Sequence, residues 1–144
     1  MTHDSYPDAL IRDILKTTKR IALVGASANE ARPSWIVTKY LLDRGYRILP
    51  VNPTLEGRTL FGVPVVGTLA GLAEPVDVVE VFRRPEYLPG HAEEILAMAP
   101  RPAAVWFQLG IRHDGAAERL ARAGIRVVQD RCMMPEHRRL LRVA

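Results

Sequence analysis

Arg20-Ile21-Ala22-Leu23-Val24-Gly25-Ala26-Ser27 is a short apolar run that ends abruptly in three small residues. A continuous apolar run of this length, stopped by glycine, is typical of a strand buried on both faces, as in a parallel sheet. The small residues begin a polar segment that reaches Pro33, near which a helical pattern starts. The stretch therefore predicts a strand, a tight turn and a helix in direct succession.

Strand and helix alternate on both sides of this stretch. Apolar residues at helical spacing predict helices over residues 8–19, 35–44, 85–98 and 114–123. Apolar runs predict further strands over 46–51, 76–82, 103–107 and 125–128, with a loop-rich segment over 54–74. This alternation predicts an α/β, Rossmann-like three-layer sandwich with a mainly parallel five-stranded sheet in the order 3-2-1-4-5.

One domain is expected for the whole chain. No repeat and no long linker divides residues 1–144, and the core is expected from about residue 15 to residue 140. Pro50 lies inside the second predicted strand, and proline cannot donate a hydrogen bond to a neighbouring strand. We therefore expect Pro50 near the end of that strand.

The composition is that of a globular protein, with 48% hydrophobic and 25% charged residues. No apolar run approaches the roughly 20 residues of a membrane-spanning helix. The first residues also lack the basic and apolar regions of a signal peptide. Cys132 is the single cysteine, so no internal disulfide can form and a reducing compartment is favoured. These features predict a cytoplasmic protein with no membrane partner.

The net charge of +4 has local sources. Arg138, Arg139 and Arg142 lie near the end of the sequence, and Arg83 and Arg84 form a pair. A nucleic-acid partner is not expected, because no dense basic stripe with interleaved aromatic residues occurs. A small polyanionic ligand, or solubility alone, accounts for the excess charge.

The turn after the first strand has the features of a phosphate site. Gly25, Ala26 and Ser27 are small enough for a ligand to approach the backbone, and the following helix directs its free N–H groups at the same space. Ser34 adds a second hydroxyl, and Arg32 adds a cation that can bind phosphate through two hydrogen bonds. The alternative is a tight strand-to-helix turn with an N-cap and no ligand.

The sequence argues against NAD as that ligand. In the dinucleotide motif G-x-G-x-x-G only Gly25 is present, because Ser27 and Glu30 occupy the other glycine positions. The second strand ends in Val51-Asn52-Pro53, without the carboxylate that binds the ribose 2′-hydroxyl in NAD sites. A P-loop motif is also absent.

Several segments, taken in order, carry a family resemblance: Val24-Gly25-Ala26-Ser27, Pro50-Val51-Asn52-Pro53, Gly62-Val63-Pro64-Val65, Val81-Phe82-Arg83-Arg84-Pro85, Val105-Trp106-Phe107-Gln108-Leu109-Gly110 and Asp130-Arg131-Cys132. The chain resembles the small stand-alone CoA-binding proteins over roughly residues 15 to 140. These proteins are similar to the nucleotide-binding domain of the succinyl-CoA synthetase alpha subunit.

The resemblance implies a Rossmann-like domain that binds coenzyme A, with residues grouped by the part of the ligand they approach. It puts the diphosphate near Ser27, Asn29, Arg32 and Ser34, with Gly25 and Ala26 in the same turn, and the adenosine beside Asn52 and Pro53. It puts the other flank at Phe82, Arg83 and Arg84, and the pantetheine end near Gln108, Leu109 and Gly110. Ligase activity is not expected, because the sequence contains no second domain that would carry a phosphohistidine.

No catalytic or metal site is expected from the sequence. His113 is the best placed histidine, at the carboxyl end of a strand, with a loop or helix-capping role as the alternative; His3, His91 and His137 have no partner pattern. Cys132 also follows a strand end, where Arg131 and a helix start would lower the pKa of its thiol. A small buried hydrophobic role is the alternative for Cys132.

Two classes of function follow. The favoured one is a module that binds coenzyme A or an acyl-CoA without intrinsic catalysis. The alternative is a nucleotide-dependent enzyme, most simply an NAD(P)-dependent oxidoreductase, against which the missing glycines and the missing carboxylate count.

Overall fold

The computed structural model describes residues 5–141. A parallel sheet contains β1 (Arg20–Val24), β2 (Arg47–Val51), β5 (Val78–Val81), β6 (Ala104–Phe107) and β7 (Arg126–Val128). A two-stranded antiparallel hairpin contains β3 (Thr59–Leu60) and β4 (Val63–Pro64). The α-helices are α1 (Asp8–Thr17), α2 (Pro33–Asp43), α3 (Leu88–Leu96), α4 (Asp114–Arg122) and α5 (Met133–Leu140). Among these residues, no helix is long and apolar enough to cross a membrane.

Helices cover both faces of the sheet, which confirms the predicted Rossmann-like α/β sandwich with five parallel strands. Side chains of successive strand residues alternate between two cores. Ile21 and Leu23 of β1 belong to the core under α1, α2 and α5. Ala22 and Val24 belong to the core under α3 and α4. This alternation explains why the run from Ile21 to Val24 is continuously apolar.

The strand order is β2-β1-β5-β6-β7. Counted along the main sheet this is 2-1-3-4-5, which corrects the expected order 3-2-1-4-5 in the position of the third strand. β5 pairs with β1 rather than with β2. The free edge of β2 is instead covered by Val66, whose N–H donates to the carbonyl of Pro50 at 3.2 Å and whose carbonyl accepts from Asn52 at 2.9 Å. The β1 strand therefore lies between β2 and β5. The chain adds β2 on one side of β1 and all later strands of the sheet on the other side.

Most predicted elements agree with the structure to within a few residues. Pro50 lies one residue before the end of β2, an edge strand of the main sheet, as its missing donor requires. The predicted helix over 85–98 begins as a 3₁₀ turn at Pro85–Tyr87 before α3. The α5 helix begins directly after Cys132, where a helix start was expected, and its extent to Leu140 was not predicted. Its Pro135 lies in the first turn, where a missing N–H is tolerated.

Candidate functional site

A cleft of about 900 Å³ opens at the carboxyl ends of the parallel strands. Most of the predicted ligand-binding residues line it: Gly25, Ala26, Ser27, Asn29, Arg32, Ser34, Asn52, Phe82, Arg83, Arg84 and Gln108. Two predicted residues do not. Pro53 lines a smaller neighbouring cavity that shares Arg83, and the N–H of Gly110 donates to Asp130 at 2.6 Å in the turn after β6. The cleft thus lies between β1 and β5, at the point where the chain changes direction, which is the usual ligand position in such sheets.

The turn after β1 is held against its two neighbouring strands. Gly25 has a φ of +90°, and a Cβ at this position would lie 2.5 Å from the carbonyl oxygen of Phe82. The N–H of Gly25 donates to the carbonyl of Val51 at 3.0 Å. Only glycine combines this backbone conformation with so close an approach. The start of the turn is therefore in direct contact with the ends of both β2 and β5.

The side chains of the turn shape the backbone that follows. Ser27 Oγ accepts a hydrogen bond from the N–H of Asn29 at 3.0 Å, and Asn29 Oδ1 accepts from the N–H of Ala31 at 3.0 Å. These local bonds are Ser- and Asx-type turns. In these bonds the side-chain oxygens of Ser27 and Asn29 act as acceptors. The Ser27 hydroxyl proton and the Asn29 amide N–H groups remain as donors, and both residues line the cleft.

The α2 helix presents an uncapped N-terminus to the cleft. Its N-cap residue is Arg32, which makes no side-chain capping bond, and Pro33 follows at the first helical position. The first turn contains no acidic residue. The partial positive charge of the helix end is therefore not neutralised by an acidic residue of its first turn, and Arg32 at the same helix end also lines the cleft.

The charge of the cleft is one-sided. Arg32, Arg83 and Arg84 line it, and no aspartate or glutamate among residues 5–141 does. Within that range none of the three arginines forms an ion pair, although the Arg83 guanidinium lies over the ring of Tyr87 at 4.3 Å. Unpaired cations around a concave surface concentrate anions there.

Asn52 occupies the position where an NAD site has its carboxylate. Its Nδ2 donates to the carbonyl of Ala26 at 2.7 Å, and its Oδ1 accepts from the N–H of Thr54 at 2.9 Å and from the Thr54 hydroxyl at 2.8 Å. The amide therefore ties the end of β2 to the turn after β1. It offers no charge to a ribose hydroxyl, so this flank lacks the usual NAD contact.

The opposite flank combines apolar side chains with buried polar groups. Leu109 is 70% exposed at the rim, and Ile111 and Cys132 lie further in. Gln108 is nearly buried, and its Nε2 donates to the carboxyl group of Glu80 below the cleft. Burial raises the pKa of Glu80 to about 8. This flank is the less charged end of the cleft.

The expected activation of Cys132 by Arg131 is wrong. The Arg131 guanidinium lies over the ring of Tyr6 at 5.5 Å and donates to the backbone carbonyl of Asp130. The pKa of the Cys132 thiol is raised, first by burial and further by the charges of Glu80 and Glu136. The thiol is therefore mainly protonated at neutral pH.

The three histidines within residues 5–141 do not line the cleft. His113 is the N-cap of α4, and its Nδ1 accepts from the N–H of Ala116 at 2.9 Å, which is the capping alternative. His91 Nδ1 contacts Glu94 at 2.7 Å, and the buried His137 Nδ1 contacts the Tyr40 hydroxyl at 3.0 Å. His3 and Arg142 are outside the described residues.

Outside the segment from Gly25 to Ser34, sequence reasoning missed four cleft residues: Val37, Thr54, Leu55 and Ile111. Val37 lies one helical turn after Ser34, so a search for the face of α2 that continues from the turn could have found it. Thr54 and Leu55 directly follow the strand-end residues Asn52 and Pro53. Ile111 had no local signal, because an isoleucine after a glycine is equally compatible with the core.

Comparison with known proteins gives consistent matches over nearly the whole chain. Residues 19–138 match a family model described as "CoA binding domain". The uncharacterized protein YneT of Bacillus subtilis (strain 168) is 42% identical over 130 residues, which are 90% of this chain and 93% of YneT. The solved structure of cell-free ID.343 from Thermus thermophilus has 47% identity and a TM-score of 0.89, with 94% of this chain and 99% of that chain covered. A hypothetical protein from Pyrococcus horikoshii OT3 has 36% identity and a TM-score of 0.89, with 99% and 97% covered. Every residue that lines the cleft lies within residues 19–138, which match the family model.

Proposed function

The chain belongs to the CoA binding domain family, and from this premise we propose that it binds coenzyme A in the cleft between β1 and β5. The observation that carries the proposal is the uncapped N-terminus of α2, which faces a cleft lined by three unpaired arginines. Coenzyme A carries a diphosphate and a 3′-phosphate, so its charge complements this surface. The cleft volume also lies near the upper end of the range for small-molecule sites.

We assign the diphosphate to the turn after β1 and to the start of α2. The Ser27 hydroxyl, the backbone N–H of Ser34 and the Arg32 guanidinium are donors of the kind that bind phosphate. The adenosine is assigned to the flank of Asn52 and Thr54. Arg83 and Arg84 on the other side of the turn are the cations available to the remaining phosphate.

The pantetheine arm is assigned to the flank formed by Gln108, Leu109 and Cys132. An arm with two amides and a terminal sulfur matches a surface that mixes apolar side chains with an amide group. We propose binding without catalysis by this chain, with free coenzyme A and acyl-CoA both open as ligands. A cytoplasmic location stays a prediction that rests on the single cysteine.

The test compares coenzyme A with NAD in thermal unfolding. A ligand that binds only the folded state adds about 2.7 kcal/mol of stability at 100 times its Kd. Coenzyme A is expected to raise the melting temperature, and NAD at equal concentration to raise it much less. Mass spectrometry of the material released on denaturation identifies any ligand retained during purification. A shift with NAD and none with coenzyme A contradicts the proposal.

Arg32→Ala tests the assigned phosphate site. Loss of a charge-assisted hydrogen bond is expected to weaken binding of coenzyme A by about 1.5–3 kcal/mol. Arg122→Ala is the matched control, because Arg122 is an exposed arginine on α4 that pairs with Glu118. Ser27→Leu is expected to abolish binding by filling the turn. Unchanged affinity in both Arg32→Ala and Ser27→Leu would place the ligand elsewhere.

A further inference from the structure

A fully buried carboxyl group lies below the pantetheine flank of the cleft. Glu80 is in the middle of β5, beside Leu23 of β1 and Trp106 of β6, and has 0% exposure. Gln108 Nε2 donates to its Oε2, but Oε1 has no hydrogen-bond partner among residues 5–141. Buried polar atoms are normally paired, so an unpaired carboxylate oxygen in a central strand calls for a function.

The chain brings Cys132 to the same place. After β7 it returns across the end of β6, where Trp106 Nε1 donates to the carbonyl of Arg131 at 2.8 Å. Trp106 is also the strand neighbour of Glu80, so the segment before Cys132 is tied to a side chain of the residue that pairs with Glu80. Cys132 and Gln108 both line the cleft. The amide that donates to the fully buried acid thus lines the same cleft as the only cysteine.

The acid and the thiol are electrostatically coupled. The charge of Glu80 raises the pKa of the Cys132 thiol, and Glu136 and Arg138 on α5 are the other charged groups that act on it. Burial brings the pKa of Glu80 to about 8, much closer to that of a thiol than an ordinary carboxyl group is. Proton transfer is most efficient between groups of similar pKa.

We propose that Cys132 is a modification site that forms a mixed disulfide with coenzyme A, and that Glu80 accepts the thiol proton. This inference rests on the proposed function, because the bound ligand brings its sulfur to Cys132. The Sγ proton moves to the ionised form of Glu80, and the resulting thiolate attacks one sulfur of coenzyme A disulfide. The disulfide bond of the ligand breaks and a Cys132–coenzyme A disulfide forms. One coenzyme A leaves as a thiolate, which is then protonated. Coenzyme A disulfide is the only oxidant required.

The first experiment uses the wild-type protein and intact-mass spectrometry. Coenzyme A disulfide is expected to add one coenzyme A to Cys132, in a form that a reductant removes. The adduct should form at least about tenfold faster than the adduct with oxidised glutathione at equal concentration, because binding positions the disulfide. Equal rates, or no adduct, overturn the inference. Reversible binding of reduced coenzyme A is measured in parallel, so binding without an adduct refutes this inference and leaves the proposed function intact.

The second experiment separates a proton acceptor from a nearby negative charge. The experiment is run above pH 8, where Glu80 is ionised, so Glu80→Gln and its matched control Glu136→Gln each remove one negative charge near the thiol. Electrostatics alone predicts faster exchange in both variants, since the pKa of the thiol falls. Proton transfer to Glu80 instead predicts that the first-order rate at saturating coenzyme A disulfide falls by at least about tenfold in Glu80→Gln only. Faster exchange in both variants overturns the role of Glu80. Cys132→Ser should give no adduct.

Discussion

Replacing Gly25 with alanine tests the closest backbone approach in the site. The new Cβ would lie 2.5 Å from the carbonyl oxygen of Phe82 and 3.0 Å from its carbonyl carbon. These atoms are held in place, because the N–H of Phe82 donates to the carbonyl of Val24 at 2.8 Å. The left-handed backbone costs an alanine about 1–2 kcal/mol. The overlap adds about 1–3 kcal/mol, the usual cost of overpacking.

Gly124→Ala is the matched control. Gly124 has a φ of +87°, close to that of Gly25, but a Cβ there would meet nothing within 4 Å. Only the conformational cost of about 1–2 kcal/mol is therefore expected at Gly124, against about 2–5 kcal/mol at Gly25. Equilibrium urea unfolding measures both losses. Binding of coenzyme A should be lost in Gly25→Ala and kept in Gly124→Ala. Equal losses of stability would show that the turn moves freely away from Phe82.

Three further predictions concern titratable groups, each measured by urea unfolding across pH. Burial raises the pKa of Glu80 from 4.5 to about 8. The free energy of unfolding should therefore fall as the pH rises between these two values, by at most about 1.4 kcal/mol per pH unit. Glu80→Gln should remove that fall, and an unchanged slope would contradict the assignment. Burial and Arg44 lower the pKa of His137, so stability should be lost as the pH falls below 6.5, except in His137→Gln. The hydrogen bond from Arg47 lowers the pKa of Glu74. Glu74 therefore stabilises the fold above pH 4.5, and this stabilisation is lost as the pH falls through the lower pKa of the folded state. Glu74→Gln should flatten the dependence of stability on pH in this acidic range.

The turn and the strand before it were predictable because their signals are local. A continuous apolar run, a glycine and a proline at a helix start lie within about 15 residues of sequence. The apolar run reflects burial on both faces of the sheet, and the glycine and the proline reflect preferences of the backbone itself. The segment from Gly25 to Ser34 therefore lies at the cleft as expected, and its role in binding stays a prediction.

The strand order and the state of Cys132 depend on distant residues. Nothing near the third strand indicates that Val66 covers the edge of β2, so the position beside β1 could not be predicted. The pKa of Cys132 is governed by burial and by Glu80, some fifty positions earlier, whereas the adjacent Arg131 turns toward Tyr6. The residue next to Cys132 in the sequence therefore did not predict the direction in which the pKa of its thiol shifts.

The return of the chain across β6 has a consequence for how the protein acquires its ligand. Gly25 is made early in synthesis and Cys132 late, and the N–H of Gln129 donates to the hydroxyl of Tyr6 at 2.8 Å, near the other end of the described chain. No early fragment contains both walls of the cleft. A nascent chain can therefore have the turn after β1 without the wall to which we assign the arm of the ligand. Binding of the complete ligand is therefore expected only after the last helix has docked.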